Sequence, residues 1–262
     1  MERLGRFLTT IPHPIVRLLA PAFGLAGRRL RPPHGLPIEA DPIGRLLRSR
    51  RSLIRWGDGE TRVLLGGDIA FQHSSPSLRK DLLEILRTAP ARTDLELALP
   101  AQPFLPQPEF RGLRRPRVWR ETRRVLPLLL EAEWLATTPR IEAHTFRTSS
   151  ETDSGRAPLD PSPLLGTSQS FVLVAAERVI DRARRAFPGY DIRTVPIPPQ
   201  NAYAELPHIL AELDQVHRSV GVDASTPTIV SAGPAGKVLV ARRADRRQLF
   251  DLGSFHVHLP TS

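Results

Sequence analysis

The chain has 262 residues, which suits one large domain or a domain with an appendage, and its 40% hydrophobic and 24% charged content with a mean hydropathy of −0.21 excludes both a wholly disordered chain and a polytopic membrane protein. It contains no cysteine, so disulfides, thiolate metal sites, iron–sulfur clusters and a cysteine nucleophile are excluded. The formal net charge of +10 is confined: residues 1–55 hold 11 arginines against Glu2, Glu39 and Asp41, and the remainder is nearly neutral.

Residues 1–36 form a basic N-terminal arm, with six arginines and one acid among short apolar stretches broken by Pro12, Pro14 and Pro21. No stretch here approaches the roughly 20 apolar residues of a membrane span, and the prolines and Arg17 interrupt any signal-peptide core. The expectation is a cytoplasmic protein, with the arm either lying on an anionic inner-membrane surface or packing as a leader on its own domain. Of the 37 basic residues only Lys80 and Lys237 are lysines, a skew that reads as codon bias. With 6% aromatic residues the chain also lacks the stacking platforms of single-strand binders, so nucleic acid is not an expected partner.

Residues 37–262 read as one α/β domain. Strand candidates fall at 53–56, 95–99, 141–146, 171–175, 192–197, 228–232 and 248–252, several of them continuous apolar runs of the kind buried parallel strands require. Between them, Ser75-Pro76 reads as an N-cap with proline at the first helical position, ahead of Leu78, Leu82, Ile85 and Leu86 on one face. Leu206, Ile209, Leu210, Leu213 and Val216 mark a second amphipathic helix, and the stretch 148–170, rich in Ser, Thr, Pro and Gly, reads as a long loop.

Ligands of an open parallel sheet bind beyond the carboxyl ends of its strands, which directs attention to the residues that follow each one. Gly57-Asp58-Gly59-Glu60 puts two carboxylates two residues apart on a glycine-flanked, exposed turn. Such a pair either supplies hard oxygen ligands to Mn²⁺ or Mg²⁺ or simply caps the helix that follows. Gly233-Pro234-Ala235-Gly236-Lys237 reads as a tight turn into a helix N-terminus, a place for phosphate, with Lys237 adding charge or standing as a solvated helix residue. It is not a Walker A loop, no G-x-G-x-x-G follows a strand, and no G-x-S-x-G elbow is present. Asp251 and His256, at and after the last strand, are the acid–base candidates.

In order, these segments resemble a bacterial glycosyltransferase family of the GT-D fold, first catalogued as a domain of unknown function. Ser52 to Glu60 is similar to its S-x-x-R-[FY]-G-D-G-E segment, with Trp56 in the aromatic slot, and Phe71-Gln72 matches the following F-Q. Phe146-Arg147 resembles its F-x-x-R, Pro198 to Tyr203 its P-x-x-N-A-[YW], Gly233 to Leu239 its G-P-[TS]-A-K-V-L, and Asp251-Leu252-Gly253 its D-[IL]-G. Two positions depart: Ser254 stands where the family has histidine, with His256 two residues on, and Ala235 or Gly236 replaces the hydroxyl residue of the G-P loop.

The resemblance implies a Rossmann-like, mostly parallel sheet flanked by helices. It also implies metal-dependent transfer of a sugar from a nucleoside diphosphate donor, such as a UDP-sugar, to a glycan, protein-linked glycan or lipid-linked acceptor. Asp58 and Glu60 are then the metal ligands, and Arg55, Gly57, Gly59, Arg147, Asn201, Tyr203 and the loop from Gly233 to Lys237 hold the donor. Two other readings compete: a non-catalytic, membrane-associated basic protein with a degenerate α/β domain, and a metal-dependent phosphohydrolase, which would need further carboxylates at the metal.

Overall fold

The computed structural model describes residues 30–32, 34–105, 116–144, 162–165, 169–219 and 221–253. Six strands form one parallel sheet flanked by helices, in the order β2-β1-β6-β5-β3-β4. They are β1 (Ser52–Arg55), β2 (Leu95–Ala98), β3 (Ser170–Ala176), β4 (Asp191–Ile197), β5 (Thr228–Ser231) and β6 (Leu249–Asp251). Every residue of β1, β2 and β6 is buried, including the polar Ser52, Arg55, Glu96 and Asp251, while β4, at the edge of the sheet, alternates between more exposed and more buried positions. Pro196 is tolerated there because an edge strand has one side with no ladder to donate to.

The strand candidate at 141–146 does not form a strand over its described residues, 141–144. Residues 141–144 make a single parallel bridge, Glu142 opposite Leu99, and the chain then turns. Alternation alone does not make a strand when only one residue finds a partner.

The described chain separates into two compact units. The first contains residues 1–40, 56–92 and 97–144; the second, 41–55, 93–96 and 145–262. In the second, α1 (Pro42–Ser49) starts at Asp41, whose carboxylate accepts from the Gly44 N–H at 2.8 Å, and stops at Arg50 in the left-handed region at φ 53°. Helices α6 (Glu177–Ala186), α7 (Leu206–His217) and α8 (Gly233–Arg243) complete this unit. Phe171, Phe187 and Tyr190 meet edge-on with ring centroids 5.4–5.9 Å apart and hold the α6–β4 turn on β3.

In the first unit, α2 (Asp58–Leu64) packs against α3 (Pro76–Thr88) and α4 (Pro116–Leu129), with α5 (Ala132–Thr137) following. Ser75 caps α3 as expected, its Oγ accepting from the Leu78 N–H at 3.2 Å. Arg79, buried on α3, donates to the Leu64 carbonyl at 3.0 Å, and Ser74 Oγ donates to the Val63 carbonyl at 2.8 Å, so the C-terminal end of α2 is satisfied from outside. Pro32, Gly35 and Leu36 are buried, so packed chain extends back into the basic arm. Residues 1–29 lie outside the described residues.

Candidate functional site

In the second unit, the carboxyl ends of β1, β6 and β5 lie side by side, and Asp251 organises them. Its Oδ2 accepts from the Arg55 N–H at 3.2 Å and lies 2.8 Å from Lys237 Nζ; its Oδ1 accepts from the Gly253 N–H at 3.0 Å. Asp251 and Lys237 are both 0% exposed. Lys237 is therefore neither a solvated helix residue nor a charge held out toward phosphate: α8 is buried along its length from Pro234 to Val240, and the ammonium is directed inward to the carboxylate. Asp251, engaged by a cation and two N–H groups without solvent access, is built to hold the strand ends in place, which is not the position of an acceptor base.

The glycines of this region have separate reasons. Gly253 has φ +64°, and a Cβ there would lie 1.9 Å from Arg55 Nη2, so the Arg55 guanidinium packs flat against a residue that must have no side chain. Ser231 Oγ donates to the Gly253 carbonyl at 2.6 Å. Gly233 opens α8 at φ +53°, while Gly236 lets the helix approach β5, since a Cβ would meet Val230 Cγ1 at 3.0 Å. Pro234 has no N–H and Gly236 donates to the Ala232 carbonyl at 3.3 Å, so of the first four residues of this helix end only Gly233 and Ala235 have N–H groups that could turn to a phosphate. Asn201, in the left-handed region at φ 54°, starts the short 3₁₀ turn Ala202–Glu205, which packs against α8 and carries the half-buried Tyr203.

In the first unit, Trp56 is fully buried; its backbone N–H donates to the Ala98 carbonyl at 2.9 Å and its Nε1 to Thr61 Oγ1 at 3.0 Å. Gly57 is the N-cap of α2 with no side chain to offer, so the cap comes from the other direction, Glu60 Oε2 accepting from the Gly57 N–H at 2.9 Å. Asp58 follows at the first helical position, where the helix dipole favours an acid. One expectation changes here. Asp58 and Glu60 are 8% and 5% exposed, so the turn is not an exposed one. Gly57 has φ −125°, an ordinary extended value. Gly59 is not in the left-handed region either, and a Cβ there would only touch Ile69 Cδ1 at 3.6 Å.

Among the described residues no three His, Asp or Glu side chains gather as a metal cage. Two carboxylates are nevertheless the donor set that fits Mg²⁺ or Mn²⁺ where the remaining ligands are water and substrate phosphate, and they do not fit a cation held by protein alone. Glu60 has one oxygen, Oε2, engaged at the cap.

A further pair was not anticipated. Glu142 and His144 are mostly buried side by side: Oε1 of Glu142 lies 3.0 Å from His144 Nδ1 and accepts from the Ala101 N–H at 3.2 Å, and Oε2 accepts from the His144 N–H at 2.6 Å. Burial pushes the Glu142 carboxyl up, but the imidazole and the two N–H groups outweigh it and hold the group below the usual carboxylate range. The pair is tied to the end of β2, because Leu99 donates to the Ile141 carbonyl and accepts from the Ala143 N–H. Its signal in the sequence was the E-x-H spacing at the end of a strand candidate, which places both side chains on one face. Arg147 and His256 lie outside the described residues.

No family profile matches the chain. No curated protein matches it. Three solved structures do. A selenomethionine-substituted domain of unknown function 1792 shares 22% identity over 88% of this chain and 81% of its own, with a TM-score of 0.62. A second structure of that domain, described as a distinct glycosyltransferase fold, also shares 22% identity, over 88% of this chain and 82% of its own, with a TM-score of 0.62. The third, described as a new glycosyltransferase of the same domain from Streptococcus sanguinis, shares 19% identity over 84% and 82%, with a TM-score of 0.61. The chain has this glycosyltransferase fold.

Proposed function

We propose that the protein is a glycosyltransferase that takes its sugar from a nucleoside diphosphate donor with Mn²⁺ or Mg²⁺ bound, and passes it to a hydroxyl of a glycan or lipid-linked acceptor. The observation that carries this reading is the pairing, in one chain of this fold, of a carboxylate turn after β1 with a glycine-opened helix N-terminus after β5. The carboxylates of Asp58 and Glu60 would hold the cation. When bound, it supplies positive charge against the leaving diphosphate.

The chain's own part in the reaction is electrostatic. The bond between the sugar anomeric carbon and the diphosphate oxygen breaks, and the N–H groups of Gly233 and Ala235 at the positive end of α8 receive the charge left on the diphosphate. The Lys237–Asp251 pair and the guanidinium of Arg55 fix that helix end and the two strand ends before the donor arrives, so little reorganisation is needed as charge develops. The acceptor oxygen forms the new bond to the anomeric carbon and loses its proton. Within the first unit, the imidazole of His144, oriented through Nδ1 by Glu142, has the chemistry to take such a proton. Asn201 and Tyr203 lie on the turn packed against α8, which supports a role for them in contacting the nucleoside or sugar.

The test is a thermal-shift screen of nucleotide sugars with Mn²⁺ and with excess chelator, followed by detection of nucleoside diphosphate release on adding candidate acceptors. A donor-dependent rise in melting temperature that requires the cation supports the reading; a rise that persists in chelator removes the metal from it, and the absence of any donor response across the nucleoside diphosphate sugars overturns it.

A further inference from the structure

A second basic feature lies in the second unit at the other end of the strands, beside Thr228 where β5 begins. There the C-terminal ends of α7 and α8 and the turn into β6 enclose a cavity of about 170 Å³, lined by Asp214, His217, Arg218, Arg243, Arg246 and Arg247. Four guanidinium groups thus face one carboxylate. That carboxylate is already matched, because Arg243 grips Asp214 with both ends of its fork at 2.8 Å each. Arg247 is anchored by donating to the His217 carbonyl at 3.0 Å and to the Asp223 carbonyl, contacts that fix its position and leave its charge in place. Arg218 and Arg246 are exposed at the rim, where their charges reach Asp214 through space.

His217 completes the wall without adding charge. It is buried, its Nε2 lies 2.9 Å from Thr228 Oγ1, and burial, then the charge of Arg247, pushes its pKa down to about 4, so it is neutral near pH 7. The carbonyl ends of two helices draw cations, and Arg247 answers the end of α7 directly by donating to the His217 carbonyl, while Arg243 is spent on Asp214. Arg218 and Arg246 add two further charges to a concave site whose acid is engaged.

We propose that this cavity is a binding site for a phosphate group, separate from the sugar-transfer site. Arg247, Arg218 and Arg246 would surround an anion with several oxygen acceptors in the way guanidinium forks match phosphate. The shared chemistry is a phosphate monoester or diester, and its source is either a soluble phosphate compound or the headgroup of an anionic lipid.

The experiment uses the full chain and the Arg218→Ser/Arg246→Ser double variant, whose altered side chains are exposed and leave the Asp214–Arg243 fork and the Arg247 anchors untouched. Calorimetric titration with inorganic phosphate at low ionic strength, against sodium chloride at matched ionic strength, is expected to show saturable binding that weakens at least tenfold in the variant. Co-sedimentation with phosphatidylcholine vesicles containing phosphatidic acid then assigns the source over the background retention that the basic arm gives both proteins: a share of retention that inorganic phosphate competes away from the full chain and that the variant lacks identifies a lipid headgroup, and retention insensitive to phosphate in both, with phosphate binding lost in the variant, identifies a soluble ligand. No saturable phosphate binding, or equal affinity in both proteins, overturns the proposal. Donor-dependent thermal shifts should be the same in both proteins, so the result stands independently of the transferase reading.

Discussion

Lys237→Met tests whether the buried pair holds the strand ends together. The substitution keeps the length and apolar stem of the lysine but leaves Asp251, 0% exposed, without its cation. Removing one partner of a fully buried pair costs about 3–5 kcal/mol, because the remaining charge has neither water nor a counter-ion. For a chain of this size about 1 kcal/mol corresponds to roughly 2–4 °C, so the melting temperature should fall by roughly 6–20 °C. An internal control is available: the Arg243–Asp214 pair has the same 2.8 Å separation but side chains 17% and 24% exposed, and Arg243→Met should cost about 1 kcal/mol or less. Urea and thermal unfolding of both variants supply the measurement. The double variant Lys237→Met/Asp251→Asn should recover part of the loss, since the amide oxygen still accepts from the Gly253 N–H and no lone charge remains. If Lys237→Met unfolds at the same temperature as Arg243→Met, or if the double variant is no better than the sum of its parts, the organising role given to this pair is wrong.

Asp58→Asn and Glu60→Gln should each abolish the Mn²⁺-dependent donor shift while changing stability by about 1 kcal/mol or less, since Gln keeps an acceptor for the Gly57 N–H and Asn loses only a dipole-aligned charge; a retained shift in either would move the cation site elsewhere. His144→Gln should lower turnover much more than donor affinity, and Glu142→Gln should do the same to a smaller extent; a loss of donor binding instead would show that the pair is only a loop fastening. His217 is held neutral in the folded protein with a pKa of about 4, against an ordinary value of 6.5, so the unfolded chain binds the extra proton first and stability should drop as pH falls from about 6.5 toward 4; His217→Gln should flatten that part of the pH–stability curve. Deleting residues 1–29, which include five arginines, should reduce pelleting with anionic vesicles in a salt-sensitive way, and equal pelleting of both constructions would make the arm a leader only.

Periodicity and capping made much of the fold legible. The apolar runs at 171–175 and 228–232 and the Ser75-Pro76 start are visible because burial and the helix N-terminus impose their rules within a few residues. The strand candidate at 141–146 was not resolved this way, because pairing is a long-range property and, among its described residues, only Glu142 met a partner, Leu99. At the site, the spacing Asp58-x-Glu60 was readable, but its burial was not: it depends on helices α3 and α4 packing over α2, which no local pattern encodes. Lys237 is the sharpest case. A lysine on the first turns of a helix is ordinarily solvated, and only the pairing of β5 with β6 brings Asp251 within reach of it.

The Lys237–Asp251 pair also constrains how such sequences drift. A change at either position alone passes through a protein with one stranded interior charge, so the lysine of the G-P loop and the aspartate of the closing D-x-G should be inherited as a unit or lost as a unit. A related sequence with an apolar residue at the position of Lys237 should therefore carry an uncharged one at the position of Asp251. In such a relative the strand ends would be held by packing instead of charge, and Gly253, fitted to the flat face of Arg55, would still be required.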